Sequence, residues 1–439
     1  MNKRYLRWLY GELPELVSRA VISAEAAGKI RDHYGETESG SGRRMALTVC
    51  SVLGALLIGA GVILLLAHNW EDLGRPIRTI LALAPLGVCQ ALAGWVLWKD
   101  KRSAAWREGV GLGLTLSIAA AIALVGQTYH VPGDLGHFLM AWMLLTLPVV
   151  YLLDSAVPSL IYFAGIPGWA GHQQSGGGFA ILFWPLLALA VPYLYLEARK
   201  NPYSHRSVIL GWGLSLCLCV GTGIALDKAM PGLWTIVYAS LFPILYLIGW
   251  YGFREAPSAS QRPFHTVGAL GATILAFLFT FEFPWDHVGW NHYHSDSLYH
   301  RYAAWLDYGL AILLPAIAIG LLVMAFRRRD RSHLLFGILP VITVAAYSLA
   351  AWGDAEFPAM LLFNIYVFVL GLRTVIVGIR KSRIGTVNAG MVIQGALNVA
   401  RFFDVDLGFV TRGIAFILLG IGFLATNLVL MKRAKGGAQ

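Results

Sequence analysis

The chain has 439 residues, 57% of them hydrophobic and only 13% charged, and its mean hydropathy is +0.63. A soluble domain carries roughly 25% charged residues and about half apolar ones, so the composition excludes an ordinary soluble domain and implies an integral membrane protein. The net charge of +10 is a membrane-topology signal rather than a nucleic-acid footprint, because the basic residues fall in short loops between apolar runs.

The first 34 residues read as a cytoplasmic helical hairpin. "LPELVSRAVISAEAAGKIRDHYG" alternates apolar and charged positions at helical spacing, breaks near Val21–Ser23 and ends at Gly35, where a helix C-cap is expected. So small a hairpin buries little core alone, so it is expected to dock on the membrane domain or on a partner; a loosely folded basic tail is the alternative. Residues 35–44, with "GETESGSG", Arg43 and Arg44, form a flexible basic linker.

Residues 45–431 form the polytopic domain. A bilayer core about 30 Å thick needs roughly 20 mostly apolar residues per helix, and a lipid-embedded backbone must satisfy its own hydrogen bonds. Such units lie near 45–67, 77–98, 109–129, 137–153, 156–170, 178–196, 207–226, 232–252, 264–281, 303–326, 334–352, 358–379, 385–402 and 409–431. The fold class is therefore an all-α transmembrane bundle of about 14 helices, or 12 if 137–170 is a re-entrant element. The four cysteines sit inside these helices as small hydrophobes.

Alternate loops differ sharply in Lys and Arg. One set holds Lys99, Lys101, Arg102, Arg107, Arg199, Lys200, Arg206, Arg254, Arg262, Arg327–Arg329, Arg331, Arg380, Lys381 and Arg383; the other holds only Arg75, Lys228, Arg301, Arg401 and Arg412. The basic set marks the cytoplasmic side. Both termini fall there, the C-terminus as a basic tail, 432–439, with Lys432, Arg433 and Lys435. The first span is expected to act as an uncleaved anchor.

"VGQTYHVPGDLG" follows the third helix at its outer end. Tyr129 suits the headgroup level, Pro132 and Gly133 stop the helix, and Asp134 is placed to cap the next one. The same ending, an aromatic or His-rich helix end followed by Asp-Leu-Gly, recurs in "HNWEDLGRP" and "RFFDVDLGF". A parallel internal repeat is one explanation and the commonness of Asp caps is another. Glu71, Asp72, Gln127, Tyr129, His130, Asp134, Asp404 and Asp406 together make a candidate outer-face site.

These stretches also carry a resemblance. "LLLAHNWEDLGRPIRTILALAPL", "AIALVGQTYHVPGDLGHFLMAW", "RFFDVDLGFVTRGIAFILLGIGFL" and the "VISAEAAGKIRDHY" module resemble the bacterial predicted membrane proteins of domain-of-unknown-function family 2157. The likeness is clearest over 1–155 and again over 398–431. It implies a multi-pass bacterial inner-membrane protein and brings no reaction, ligand or catalytic residue with it.

Two further groups stand out. In "EFPWDHVGWNHYHSDSLYHR", His287, His292, His294 and His300 lie near Asp286 and Asp296, a donor set that zinc could use if the outer loop folds back. The same loop is rich in Trp and Tyr, which favour the membrane interface without any metal. In "NAGMVIQGALNVARFF", Gln394, Asn398 and Arg401 share one face of the thirteenth helix. That face either lines a path for substrate or bonds amides to neighbouring helices, with Asn364 and Asn427 as partners.

No enzyme signature such as H-E-x-x-H occurs, and no cofactor is implied. The helix count, in-helix prolines and polar thirteenth helix favour transport or flipping of a small or lipid-linked substrate. The alternative is a non-catalytic scaffold that binds a protein through its outer His/Asp/aromatic surface or its N-terminal hairpin. The expected partners are the bilayer and such a protein, not nucleic acid.

Overall fold

The computed structural model describes residues 3–34, 73–101, 103–176, 180–226, 232–252, 258–286, 298–327, 334–353 and 356–402, with isolated positions such as Gly178, Val288 and several between 410 and 424. Among the described residues the regular structure is entirely helical. The chain forms two compact units, Met1–Arg78 and Thr79–Gln439.

In the first unit, α1 (Lys3–Ser18) packs on α2 (Ala24–Tyr34). Between them Ala20 turns the chain with a positive φ of 54°. Ser23 then caps α2 by accepting the Ala26 N–H at 3.1 Å. The Glu15–Arg19 and Glu25–Lys29 pairs are i,i+4 contacts on the exposed surface and add little stability.

The membrane part runs through α3 (Arg75–Trp98), α4 (Ala104–Tyr129), α5 (Leu135–Leu153), α6 (Ala156–Ser175), α7 (Phe183–Lys200), α8 (His205–Ala225), α9 (Leu233–Gly252), α10 (Pro263–Leu278), α11 (Leu298–Arg327), α12 (Leu334–Gly337), α13 (Leu339–Gly353), α14 (Glu356–Arg380) and α15 (Ile384–Phe402). Nine helices among the described residues are long and apolar enough to cross a bilayer. The first and last expected spans, 45–67 and 409–431, lie wholly or largely outside the described residues.

Segment 137–170, which the sequence leaves open, forms two separate helices of 19 and 20 residues. At 1.5 Å per residue each covers about 30 Å. The chain reverses between them at Asp154, whose φ of 49° is left-handed. α6 packs against α4, α5, α7 and α8, and Tyr162, Ile166 and Ala170 on it are fully buried. A helix walled by other helices does not need a lipid-facing surface, so it can carry Ser159, His172, Gln173 and Gln174.

Two main cores result. One joins α5 to α10 around Met143, Tyr162, Phe183, Leu210 and Leu245. The other joins α9, α10, α13, α14 and α15 around Phe279, Trp285 and Phe363, whose rings lie 5.0–5.7 Å apart. α9 contributes to both. A smaller cluster of Val96, Leu114, Ile118 and Leu153 holds α3, α4 and α5 together.

Glycines set the closest helix approaches. A Cβ on Gly268 of α10 would stand 2.6 Å from the Phe242 carbonyl and 2.7 Å from the Tyr246 Cα of α9. One on Gly390 of α15 would stand 2.7 Å from the Val375 nitrogen of α14. Small residues let helix backbones meet in this way where no solvent drives association.

Candidate functional site

The densest polar arrangement lies at the basic ends of α4 to α8. Three local features build it. The left-handed turn at Asp154 presents its carboxylate between α5 and α6. The last turn of α7 carries Glu197, Arg199 and Lys200. Ser204 caps α8 by accepting the Ser207 N–H at 3.0 Å, which places Arg206 in the first turn.

Arg206 is the hub. Its guanidinium donates to the Asp154 carbonyl and the Tyr193 hydroxyl. It lies 3.3 Å from Asp154 Oδ1, 3.9 Å from Glu197 Oε1 and 4.0 Å from Glu108 Oε1. Lys200 Nζ adds contacts to Glu197 Oε2 at 3.0 Å and to Asp154 Oδ2 at 3.6 Å. Arg107 reaches Asp154 Oδ2 at 3.8 Å and Asp100 Oδ1 at 3.6 Å. The Glu197 side chain is only 11% exposed. Burying a carboxylate this far is costly unless it is paired, and Lys200 and Arg206 supply the pairing.

Glu108 caps a helix to which it does not belong. Its Oε2 accepts the Ser155 hydroxyl at 2.6 Å and the Val157 N–H at 2.8 Å, and its Oε1 accepts the Ala156 N–H at 2.9 Å. Ser155, the N-cap of α6, makes no side-chain cap of its own. The carboxylate of α4 thus satisfies the free N–H groups of α6 and sits at the positive end of its dipole.

Beside this network is an open cleft of about 500 Å³, lined by Tyr151, Asp154, Tyr193, Leu196, Glu197, Arg199 and Lys200. It combines both charge signs with aromatic and aliphatic walls. Tyr151 is fixed by donating to the Leu189 carbonyl at 2.6 Å and by an edge-to-face contact with Tyr193 at 5.7 Å.

The opposite helix ends carry the expected outer-face residues. Asp134 caps α5, with Oδ1 accepting the His137 N–H at 2.8 Å and the ring Nδ1–H at 2.7 Å. Its Oδ2 lies 3.7 Å from His172 Nε2 at the end of α6. The Asp134 carboxyl is held down at about 2, first by the His137 backbone N–H and next by the His137 ring. Tyr129 meets Thr79 at 2.9 Å. His130 ends α4 in a left-handed conformation, and Gln127 is exposed. Glu71, Asp72, Asp404 and Asp406 lie outside the described residues.

A depressed carboxylate stabilises the fold fully above its unfolded value of about 3.9, and that stabilisation is lost as pH falls through the folded value of about 2. Asp134→Asn should therefore leave the unfolding temperature unchanged near neutral pH, because Asn caps about as well as Asp. It should also flatten the acid-side fall of wild-type stability. Thermal unfolding against pH measures both, and a large loss near neutral pH would mean that the charge does more than cap.

Of the expected metal ligands, His287, His292 and His294 lie outside the described residues, and His300 falls in the first turn of α11. Among the described residues the grouping close enough to share an ion is Glu282, Asp286 and Glu356, with carboxylate oxygens within 4.8 Å of one another. Such an all-oxygen set suits a hard cation rather than zinc.

On the polar face of α15, Gln394 donates to the Phe368 carbonyl of α14 at 2.6 Å. Asn398 donates to the Gln394 carbonyl of its own helix at 3.0 Å. The Arg401 guanidinium lies over Phe281 at 5.2 Å. Asn364, one expected partner, bonds instead to the Thr280 and Met360 carbonyls; the other, Asn427, lies outside the described residues.

The network of Glu108, Asp154, Glu197 and Arg206 is the feature that sequence reasoning missed. A signal existed for two of the three carboxylates: Glu108 and Glu197 sit beside loops otherwise notable for Lys and Arg, whereas the Asp154 turn has none nearby. Counting only the basic residues conceals it.

No curated protein and no solved structure matches the chain. The stretch that carries α3, α4, α5, the Asp134 turn and Glu108 with its three donors does have a match, and it agrees with the apolar helices: residues 14–159 fit the family model described as Predicted membrane protein (DUF2157).

Proposed function

We propose that this protein sits in a bacterial inner membrane with both termini in the cytoplasm. In this reading residues 1–34 are a cytoplasmic helical module, and the membrane domain transports or flips a small or lipid-linked substrate. The Lys/Arg bias between alternate loops supports the orientation. A reporter fused after Gln439 that is active only in the periplasm would reverse it.

One observation carries the transport reading: the mixed-charge cleft of about 500 Å³ beside the Arg206 network. Ionisable side chains gathered where helices pack are expensive to desolvate, and such a group among membrane helices supports a functional site as the first hypothesis. The network also ties the ends of α4, α5, α6, α7 and α8 to one guanidinium hub, so a ligand that competes for those charges would loosen several helices at once. The face of Gln394, Asn398 and Arg401 gives less support, since Gln394 is engaged in a helix–helix hydrogen bond.

The test is flux. Full-length protein in phosphatidylglycerol-containing vesicles should move a fluorescent phosphatidylglycerol from the inner to the outer leaflet, where a membrane-impermeant quencher reads it. Folded protein that moves label no faster than protein-free vesicles would defeat the flipping of anionic phospholipid as its activity.

A further inference from the structure

We infer that the cleft between the ends of α5 and α7 binds the phosphate of a lipid headgroup, with Arg199 and Lys200 holding the phosphate and the acyl chains lying against the apolar flank of α5 and α7. The inference rests on the transport reading and names the chemical class of its substrate.

The charge inventory fixes the sign of the ligand. Asp154 already faces Arg206, Lys200 and Arg107. Glu197 faces Lys200 and Arg206, and Glu108 accepts three hydrogen bonds. The acids are spent on cations within the protein, so the cleft offers little to an amine. Donors remain on the rim. Arg199 is exposed, lines the cleft and lies over the Tyr195 ring at 5.8 Å. Lys200 lines the cleft with its side chain 61% exposed; its charge is shared with Glu197 and Asp154, so it supports Arg199 with ammonium hydrogens beyond the short contact to Glu197 rather than as a free cation. A guanidinium beside an ammonium matches the oxygens of a phosphate, the guanidinium by a two-pronged contact and the ammonium as a point charge.

The walls identify the rest of the ligand. Tyr151 and Leu196 line the cleft. Leu152, Leu189 and Tyr195 beside them are exposed on the same two helices. An amphiphile can thus place its charge at the helix ends and its hydrocarbon along the helices, which a soluble phosphate cannot do. A cleft of about 500 Å³ lies within the range of small-ligand sites, about 300–1,000 Å³. Basic pockets between helices on the cytoplasmic side are suited to anionic headgroups on general electrostatic grounds.

The experiment is equilibrium binding to delipidated full-length protein in detergent, read by native mass spectrometry. The probes are phosphatidylglycerol, diacylglycerol with the same chains, and inorganic phosphate. Wild type should bind phosphatidylglycerol about tenfold or more tightly than diacylglycerol, the scale of one charge-assisted contact. Arg199→Gln/Lys200→Gln should lose that preference, with some fall in unfolding temperature because Lys200 also pairs with Glu197 and Asp154. Arg199→Gln alone guards against a folding defect from the double change, and Arg199→Lys should recover part of the preference. Equal affinity for the two lipids, or a preference that survives in a folded double variant, overturns the site. Inorganic phosphate binding as tightly as phosphatidylglycerol overturns the lipid assignment. Binding needs no flux, so a selective site in a protein that moves no lipid defeats only the flipping of anionic phospholipid as its activity. Flux in a protein without headgroup preference defeats only the inference drawn here.

Discussion

Glu108→Ala is expected to destabilise the protein by about 3 kcal/mol, the scale of leaving several buried donors without their acceptor. The wild-type carboxylate accepts the Ser155 hydroxyl and the N–H groups of Ala156 and Val157, and Ser155 is fully buried. Removing it strands three donors at the start of α6, the helix at the centre of the first core. The full desolvation penalty is not reached, because the Glu108 side chain is 26% exposed and water can follow it. Glu108→Gln keeps one carbonyl oxygen and exchanges the other for a donor, so it should fall between wild type and Ala. Detergent-solubilised protein should therefore unfold in the order Ala, Gln, wild type as temperature rises. A wild-type Tm for Glu108→Ala would show that α6 does not depend on this cap.

Gly268→Ala should be about as damaging, for a steric reason. The added methyl group would meet the Phe242 carbonyl oxygen at 2.6 Å and the Tyr246 Cα at 2.7 Å. These are backbone atoms of α9, so no side-chain rotation relieves the clash and the two helices must separate. Overpacking of this kind costs about 1–3 kcal/mol and occasionally more. The matched control is Gly109→Ala in α4, where the added carbon meets nothing within 4 Å. There the higher helix propensity of Ala, worth about 1 kcal/mol, should leave stability unchanged or raised. Equal behaviour of the two variants would mean that α9 and α10 are not held at backbone contact.

The contrast shows what a sequence can and does not express. Most spans between 77 and 402 are legible because lipid-facing helices must be continuously apolar and short polar turns must separate them. α6 is the instructive exception: other helices supply its surroundings, so its prolines, glycines and polar residues weaken the very pattern used to find it. Asp134 reads as an N-cap because that chemistry is local, three residues from its N–H donor. Its approach to His172 is not legible, since it depends on α6 returning to the same end. The Glu108 cap is hidden for the same reason, since Glu108 and Ser155 are 47 positions apart. Gln394 is recognisable as a residue needing a partner in the membrane, but the partner is a carbonyl of α14, and any carbonyl looks alike in sequence.

Flux tests the central claim, that the basic-end cleft is the working site, most directly when wild type is compared with Arg199→Gln/Lys200→Gln in the same phosphatidylglycerol vesicles. Both residues are exposed on the rim of the cleft; because Lys200 also pairs with Glu197, flux is compared at equal amounts of folded, reconstituted protein, with Arg199→Gln alone as the control. The expected result is movement of labelled phosphatidylglycerol by wild type and a fall of about tenfold or more in the variant, the loss of a charge-assisted contact to the phosphate. Wild-type flux in the folded variant would contradict the account.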